Sequence, residues 1–211
     1  MKYVFVGLGH EIRVAGEIFT IGVDNGWRYF EDSCIPCYLF PCGINLNGII
    51  HWIGDNRRSG VIFAFDIGEE RGQCIPLPPG LGDEPGNVVL AIWNDHLCLT
   101  DNSSELQVDV WTMTQYGVVE SWTKDIILTR RIPSNLRPYP LNPITTLRNG
   151  DLLMSCPYGR SLIAFDPKIK KCSKLEVSDV DGTVSFLFGY TPSFISLENV
   201  FRIGHESLVD V

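Results

Sequence analysis

Along this chain apolar residues recur at the two-residue period of an extended strand. Hardly any window keeps them at helical spacing for three turns. The segments "NVVLAIW", "HLCLT", "VIFAFDI", "LQVDVWTM", "SLIAFD" and "TVSFLF" are short, rich in β-branched and aromatic residues, and bounded by turn residues. The 20 glycines and 13 prolines that punctuate them leave little room for long helices. The pattern predicts an all-β protein. In "VIFAFDI", Val61, Phe63, Phe65 and Ile67 fall on one face of a strand, and Ile62 and Ala64 on the other. A strand that is apolar on both faces belongs between two layers.

The strands repeat as a unit. Asn47-Gly48, Asn94-Asp95 and Asn149-Gly150 each read as a tight hairpin turn, because two-residue turns need positive φ at both central positions. An aromatic residue follows the second turn residue by 17, 16 and 15 positions, at Phe65, Trp111 and Phe165. A partial copy at the start places Ile21 in the aromatic's position, giving intervals of 44, 46 and 54 residues. Hairpins at this period predict a kelch-like β-propeller or partial propeller. The expected organisation is one domain over residues 1–211, truncated at its N-terminus and holding about four units, so that closure into a ring stays open. The proline-rich stretches Cys74–Asn87 and Arg130–Pro143 fall between units, and variable recognition surface is expected there.

Composition narrows the class. A formal charge of −8 over 211 residues repels nucleic acid and anionic lipid, so neither is expected as a partner. No apolar run reaches the roughly 18 residues of a membrane helix, and the first residues lack the form of a signal peptide. Seven scattered cysteines fit reduced thiols, which points to the cytoplasm or nucleus and makes the sequon at Asn102-Ser103-Ser104 a chance match.

Candidate chemistry is sparse. Cys34, Cys37 and Cys42 followed by His51 is the most metal-like grouping, but the second half-site lacks zinc spacing and His51 lies inside a strand. Counting three residues past each turn makes His51, Cys98 and Leu153 equivalent, so His51 reads as a packed scaffold residue carrying at most a hydrogen bond to backbone. His10, His96 and His205 share no unit, and no nucleophile stands beside a base at motif spacing. Asp181-Gly182 reads as a further turn rather than a calcium loop. Glu69 and Glu70 read as a solvated turn, and Lys168–Lys174 as a solvated hairpin tip. No catalytic, cofactor or metal residue is expected.

Several stretches together resemble the F-box-associated domain of plant F-box proteins. They are "GINLNGIIHWI" (Gly43–Ile53), "VIFAFDI" (Val61–Ile67), "CIPLPPG" (Cys74–Gly80), "RNGDLLM" (Arg148–Met154), "LIAFDP" (Leu162–Pro167), "YTPSFISL" (Tyr190–Leu197) and, near the start, "GWRYF" (Gly26–Phe30). In "VDVWTMTQYGVVESWTKDIIL" (Val108–Leu128) the match is carried by Trp111, Tyr116, Gly117, Ser121, Trp122 and Thr123. The resemblance implies a kelch-like domain that captures a target protein for an SCF-type ubiquitin ligase, whose Skp-type adaptor binds a separate F-box. No F-box-like helical segment precedes the domain, so adaptor binding is expected only of a longer form. A small propeller enzyme (hydrolase or metal oxidase) and a degenerate fragment without function remain as alternatives, and the target and its binding residues are not legible.

Overall fold

The computed structural model describes residues 2–8, 14–30, 34–40, 43–55, 60–81, 87–128, 132, 141–156 and 161–175. Within them lie four antiparallel sheets in chain order. The first holds β1 (Lys2–Leu8), β2 (Val14–Thr20) and β3 (Arg28–Phe30). In the second, β4 (Tyr38–Leu39) and β5 (Ile44–Leu46) both pair with β6 (Ile49–Asp55), followed by β7 (Gly60–Asp66) and β8 (Arg71–Pro76). The third runs β9 (Val88–Trp93), β10 (His96–Asp101), β11 (Gln107–Met113) and β12 (Trp122–Leu128), and the fourth β13 (Asn142–Thr146), β14 (Leu152–Cys156), β15 (Ser161–Asp166) and β16 (Lys171–Leu175). A 3-10 turn, Val119–Ser121, lies in the link between β11 and β12. The fold is all-β, a kelch-like propeller architecture of stacked hairpin sheets.

Alternation places the core. Phe63 and Phe65 pack toward the first sheet with Ile18, while Ile62 and Ala64 of the same strand pack toward the third with Leu97, Leu99, Trp111 and Met113. The third sheet repeats the arrangement: Cys98, Val108 and Val110 meet Leu152, Met154, Ile163 and Phe165 of the fourth. β7 is apolar on both faces because the second sheet, like the third, is covered on both sides, as its sequence pattern requires.

The turns are set by local chemistry. Asn47 and Gly48 have φ of 52° and 85°, and Asn94 and Asp95 of 48° and 60°, the left-handed pair a two-residue hairpin needs. The third turn differs from expectation. β13 stops at Thr146 and β14 starts at Leu152, and the link closes through Leu147 N–H to Asp151 O and Gly150 N–H to Leu147 O, so Gly150 alone takes positive φ there. The turns after β7 and β15 are matched. Asp66 Oδ1 accepts from the N–H of Gly68 and Glu69, and Asp166 Oδ1 from those of Lys168 and Ile169, with Glu70 and Lys170 both left-handed. The shared "AFD" ending is thus a turn cap.

Register corrects two details of the repeat. His51 pairs with Ala64 and Leu153 with Ala164, whereas Cys98 pairs with Thr112. Met113, not Trp111, therefore stands where Phe65 and Phe165 stand. A two-residue offset preserves the face, which is why Trp111 still packs in the same layer. Ile21 lies in the turn after β2, and Ile18 of that strand is buried in the core.

Candidate functional site

At the end of the stack carrying the Asn47-Gly48 and Asn94-Asp95 turns, the second and third sheets leave a cleft of about 230 Å³ between them. Leu46, Ile49, Leu97 and Met113 give it an apolar floor, and Asn47, Asp95, His96 and Tyr116 form the rim. Tyr116 comes from the link between β11 and β12, where it is 41% exposed.

That link is braced from within. Gly117 adopts φ 78° and its N–H meets Met113 Sδ at 3.1 Å. Ser121 Oγ accepts from the Gln115 N–H at 3.0 Å and contacts the Gln115 and Val118 carbonyls at 2.9 and 2.7 Å. Thr123 Oγ1 donates to Thr112 O at 3.2 Å. The residues that carry the family resemblance in this stretch therefore build a rigid mount for one tyrosine.

Tyr116 is held from the second sheet. Its hydroxyl lies 2.8 Å from His51 Nε2 and 3.3 Å from Gln73 Nε2, with the imidazole and phenol rings edge to face at 5.6 Å. His51 is fully buried, and its Nδ1 has no hydrogen-bond partner. Burial pushes its pKa down to about 4, with the backbone of Ile44 and Ile49 acting weakly the other way. Burial likewise raises the Tyr116 pKa, against the Gln73 hydrogen bond. His51 is thus a packed residue, and its Nε2 also reaches a side chain of the next sheet.

The suspected metal grouping is not brought together. Cys34 packs against the Phe63 and Phe65 face of the second sheet, whereas His51 reaches Tyr116 through the opposite face. Cys37 is exposed, Cys42 lies outside the described residues, and no group of three or more metal-binding side chains forms among those described. His10, His205 and Asp181-Gly182 also lie outside them. His96 is on the cleft rim, its Nδ1 2.6 Å from Asn94 O.

Two expected solvated turns have work in the fold. Glu70 makes a two-pronged ion pair with Arg28 at 2.9 and 3.0 Å, tying the first sheet to the second. The same Arg28 bonds Asp24 at 3.0 Å, and Asp24 has a lowered pKa chiefly because it accepts the Thr20 N–H. Lys170, in the turn matching that of Glu70, pairs with Asp125 of β12. Gln73 with Tyr116 provides the corresponding tie between the second and third sheets. Asn102 is occupied as well: its Oδ1 accepts the Leu141 N–H at 2.9 Å and its Nδ2 donates to Leu141 O at 3.3 Å.

The proline-rich stretches begin or end at the opposite end of the stack, since β8 and β12 run away from the cleft. Of these stretches only residues 74–81, 87, 132 and 141–143 are described. The sequence flagged Tyr116 only as part of a resemblance. The signal for more was an aromatic residue inside a polar hairpin link, "TQYGVVES".

Comparison with known proteins agrees with this architecture. F-box protein CPR1 of Arabidopsis thaliana is 26% identical over 152 residues, 68% of this chain and 36% of that protein. F-box protein At3g07870 of the same plant is 28% identical over 148 residues, 62% of this chain and 35% of that protein. The chain thus spans about a third of the length of these curated relatives. A solved virginiamycin B lyase from Staphylococcus aureus with quinupristin aligns over 87% of this chain and 77% of its own at a TM-score of 0.45 and 9% identity, a likeness that carries no argument about fold or activity. The family model described as the F-box associated beta propeller domain matches residues 8–197, nearly the whole repeat, and the chain belongs to that family.

Proposed function

We propose that this chain is the target-recognition domain of a plant SCF-type ubiquitin ligase, a binding module without catalysis of its own. The observation that supports it most is membership of the F-box-associated family together with relatives that are F-box proteins. The site chemistry agrees. The buried imidazole serves a contact between sheets, and the thiols of Cys34 and Cys37 stand apart from it. A longer form bearing an F-box would bind the Skp-type adaptor, while this domain holds the target. The chain would work in cytoplasm or nucleus, with neither nucleic acid nor anionic membrane as partner, given its charge of −8. No described helix is long and apolar enough to cross a membrane.

Affinity capture from plant extract tests this, with and without a proteasome inhibitor. The expected result is one reproducible target whose recovery rises when degradation is blocked, and no binding of the purified Skp-type adaptor to this chain alone. Failure to recover a target, or stoichiometric zinc or copper accompanied by turnover of a small substrate, would overturn the reading.

A further inference from the structure

The cleft between the second and third sheets has the size and lining of a subsite for one side chain. Its volume of about 230 Å³ falls below the roughly 300 Å³ at which pockets begin to enclose drug-sized ligands. An aliphatic, thioether or phenyl group on the Leu46, Ile49, Leu97 and Met113 floor would fill it.

The rim supplies two further preferences. A tyrosine hydroxyl has three hydrogen-bonding positions, one donor and two acceptors. His51 and Gln73 use two of them, so one is left at the half-exposed edge of the cleft. If His51 donates, the remaining position is the phenolic proton. If His51 accepts, it is a lone pair. A main-chain amide, which offers both C=O and N–H, satisfies either case. Among the lining residues Asp95 is the one carboxylate, on a chain whose net charge is −8, so a cation beside the apolar group is favoured and a carboxylate is opposed.

We infer that this cleft receives an apolar side chain from an extended segment of the target protein, with a main-chain amide of that segment on the Tyr116 hydroxyl and a flanking lysine or arginine against Asp95. This rests on the reading of the chain as a target receptor and names the class of sequence it takes.

The probe is a set of labelled peptides, Gly-Ser-X-Z-X-Ser-Gly, with Z as leucine, methionine, phenylalanine or serine and X as lysine, serine or aspartate. Binding to the intact chain is followed by fluorescence polarisation and by methyl NMR of its three methionines. Lysine-flanked peptides with apolar Z are expected to bind at least 10-fold more tightly than aspartate-flanked or serine-centred ones. They should move the Met113 methyl and leave that of Met154, buried between the third and fourth sheets, in place. Tyr116→Phe should weaken binding about 5-fold to 10-fold. Asp95→Asn, which keeps a residue tolerant of positive φ, should erase the preference for lysine. Both variants should melt within a few degrees of the parent.

No binding, binding indifferent to Z and X, or a shift at Met154 instead of Met113 would overturn the inference. A Tyr116-dependent dimer in sedimentation would overturn it too, by assigning the cleft to a second copy. If a target is captured from extract equally by the parent and by Tyr116→Phe, the receptor reading stands and the cleft inference falls. If no target is captured while the peptides still move Met113, the reverse holds.

Discussion

The second and third sheets meet through a layer that ends in a buried imidazole under a tyrosine, and the third and fourth meet through one whose matching position holds a buried thiol. Behind Ile62, Ala64 and Ile75 of the first pair stand Gln73 and the buried His51, both bonded to Tyr116, which is half-exposed at the cleft. Inside the layer of the second pair Trp93, Thr100 and Asn102 are neutral and bond backbone, and the Lys170–Asp125 ion pair stands at its part-exposed edge. Trp93 Nε1 donates to Gly150 O at 3.1 Å, Thr100 Oγ1 to Leu141 O at 3.2 Å, and Asn102 bonds Leu141 in both directions. Cys98, in the place that His51 takes in the second sheet, is buried, and burial pushes its thiol pKa up to about 12, so it stays protonated at any physiological pH. One repeat position is therefore filled for different ends. Where a link residue of the next sheet reaches over it, the position holds an imidazole; where it shares a buried cluster with Leu152 and Met154 of the next sheet, it holds a thiol.

The contrast is broken most severely by truncating the dry layer. Phe165→Ala, at a fully buried site, should cost about 3–5 kcal/mol in denaturant unfolding, because the sheets on either side cannot close on the space. Next comes pH. His51 is held neutral, its pKa about 4 in the fold against 6.5 in the unfolded chain, so between those values the unfolded chain binds more protons and stability rises with pH. The contribution is complete above about pH 6.5, falls as pH drops toward 4, and levels off below that. The total is about 3 kcal/mol. His51→Gln should remove that part of the acid slope, while Cys98→Ala should leave it unchanged.

Asn102→Ala should cost about 1–3 kcal/mol, since it leaves the Leu141 N–H without an acceptor. Faster hydrogen exchange at Leu141 would locate the effect. Tyr116→Phe should cost about 1 kcal/mol or less, because water can replace part of what the half-exposed hydroxyl gives up. The smallest change is expected from Asp125→Asn, which breaks the tie to Lys170: under about 1 kcal/mol at low salt and nothing at 1 M.

Much of the architecture was legible beforehand. "VIFAFDI" required cover on both faces, Asn47-Gly48 required a two-residue turn, and the matching "AFD" endings marked matching turns. Legibility failed where spacing was counted across a link of different length. Asn149-Gly150 sits in a wider connection, which spacing from the turn alone does not reveal. Trp111 is one pleat away from the place of Phe65 because strand pairing, not distance along the chain, sets equivalence. The cleft was not legible at all. Its lining comes from β5, β6, β10, β11 and three links, and no single stretch carries the pattern.

By itself the sequence determined a repeated, doubly covered β architecture of the F-box-associated kind, because strand period and turn chemistry are local properties read from a few residues at a time. Only the tertiary structure decided which face each repeat position meets. It joined Glu70 to Arg28 and Lys170 to Asp125, separated His51 from Cys34, and set Tyr116 over the gap between two sheets. Those outcomes depend on how far one sheet is displaced against its neighbour, and alternation along a strand specifies a face without specifying what will lie against it.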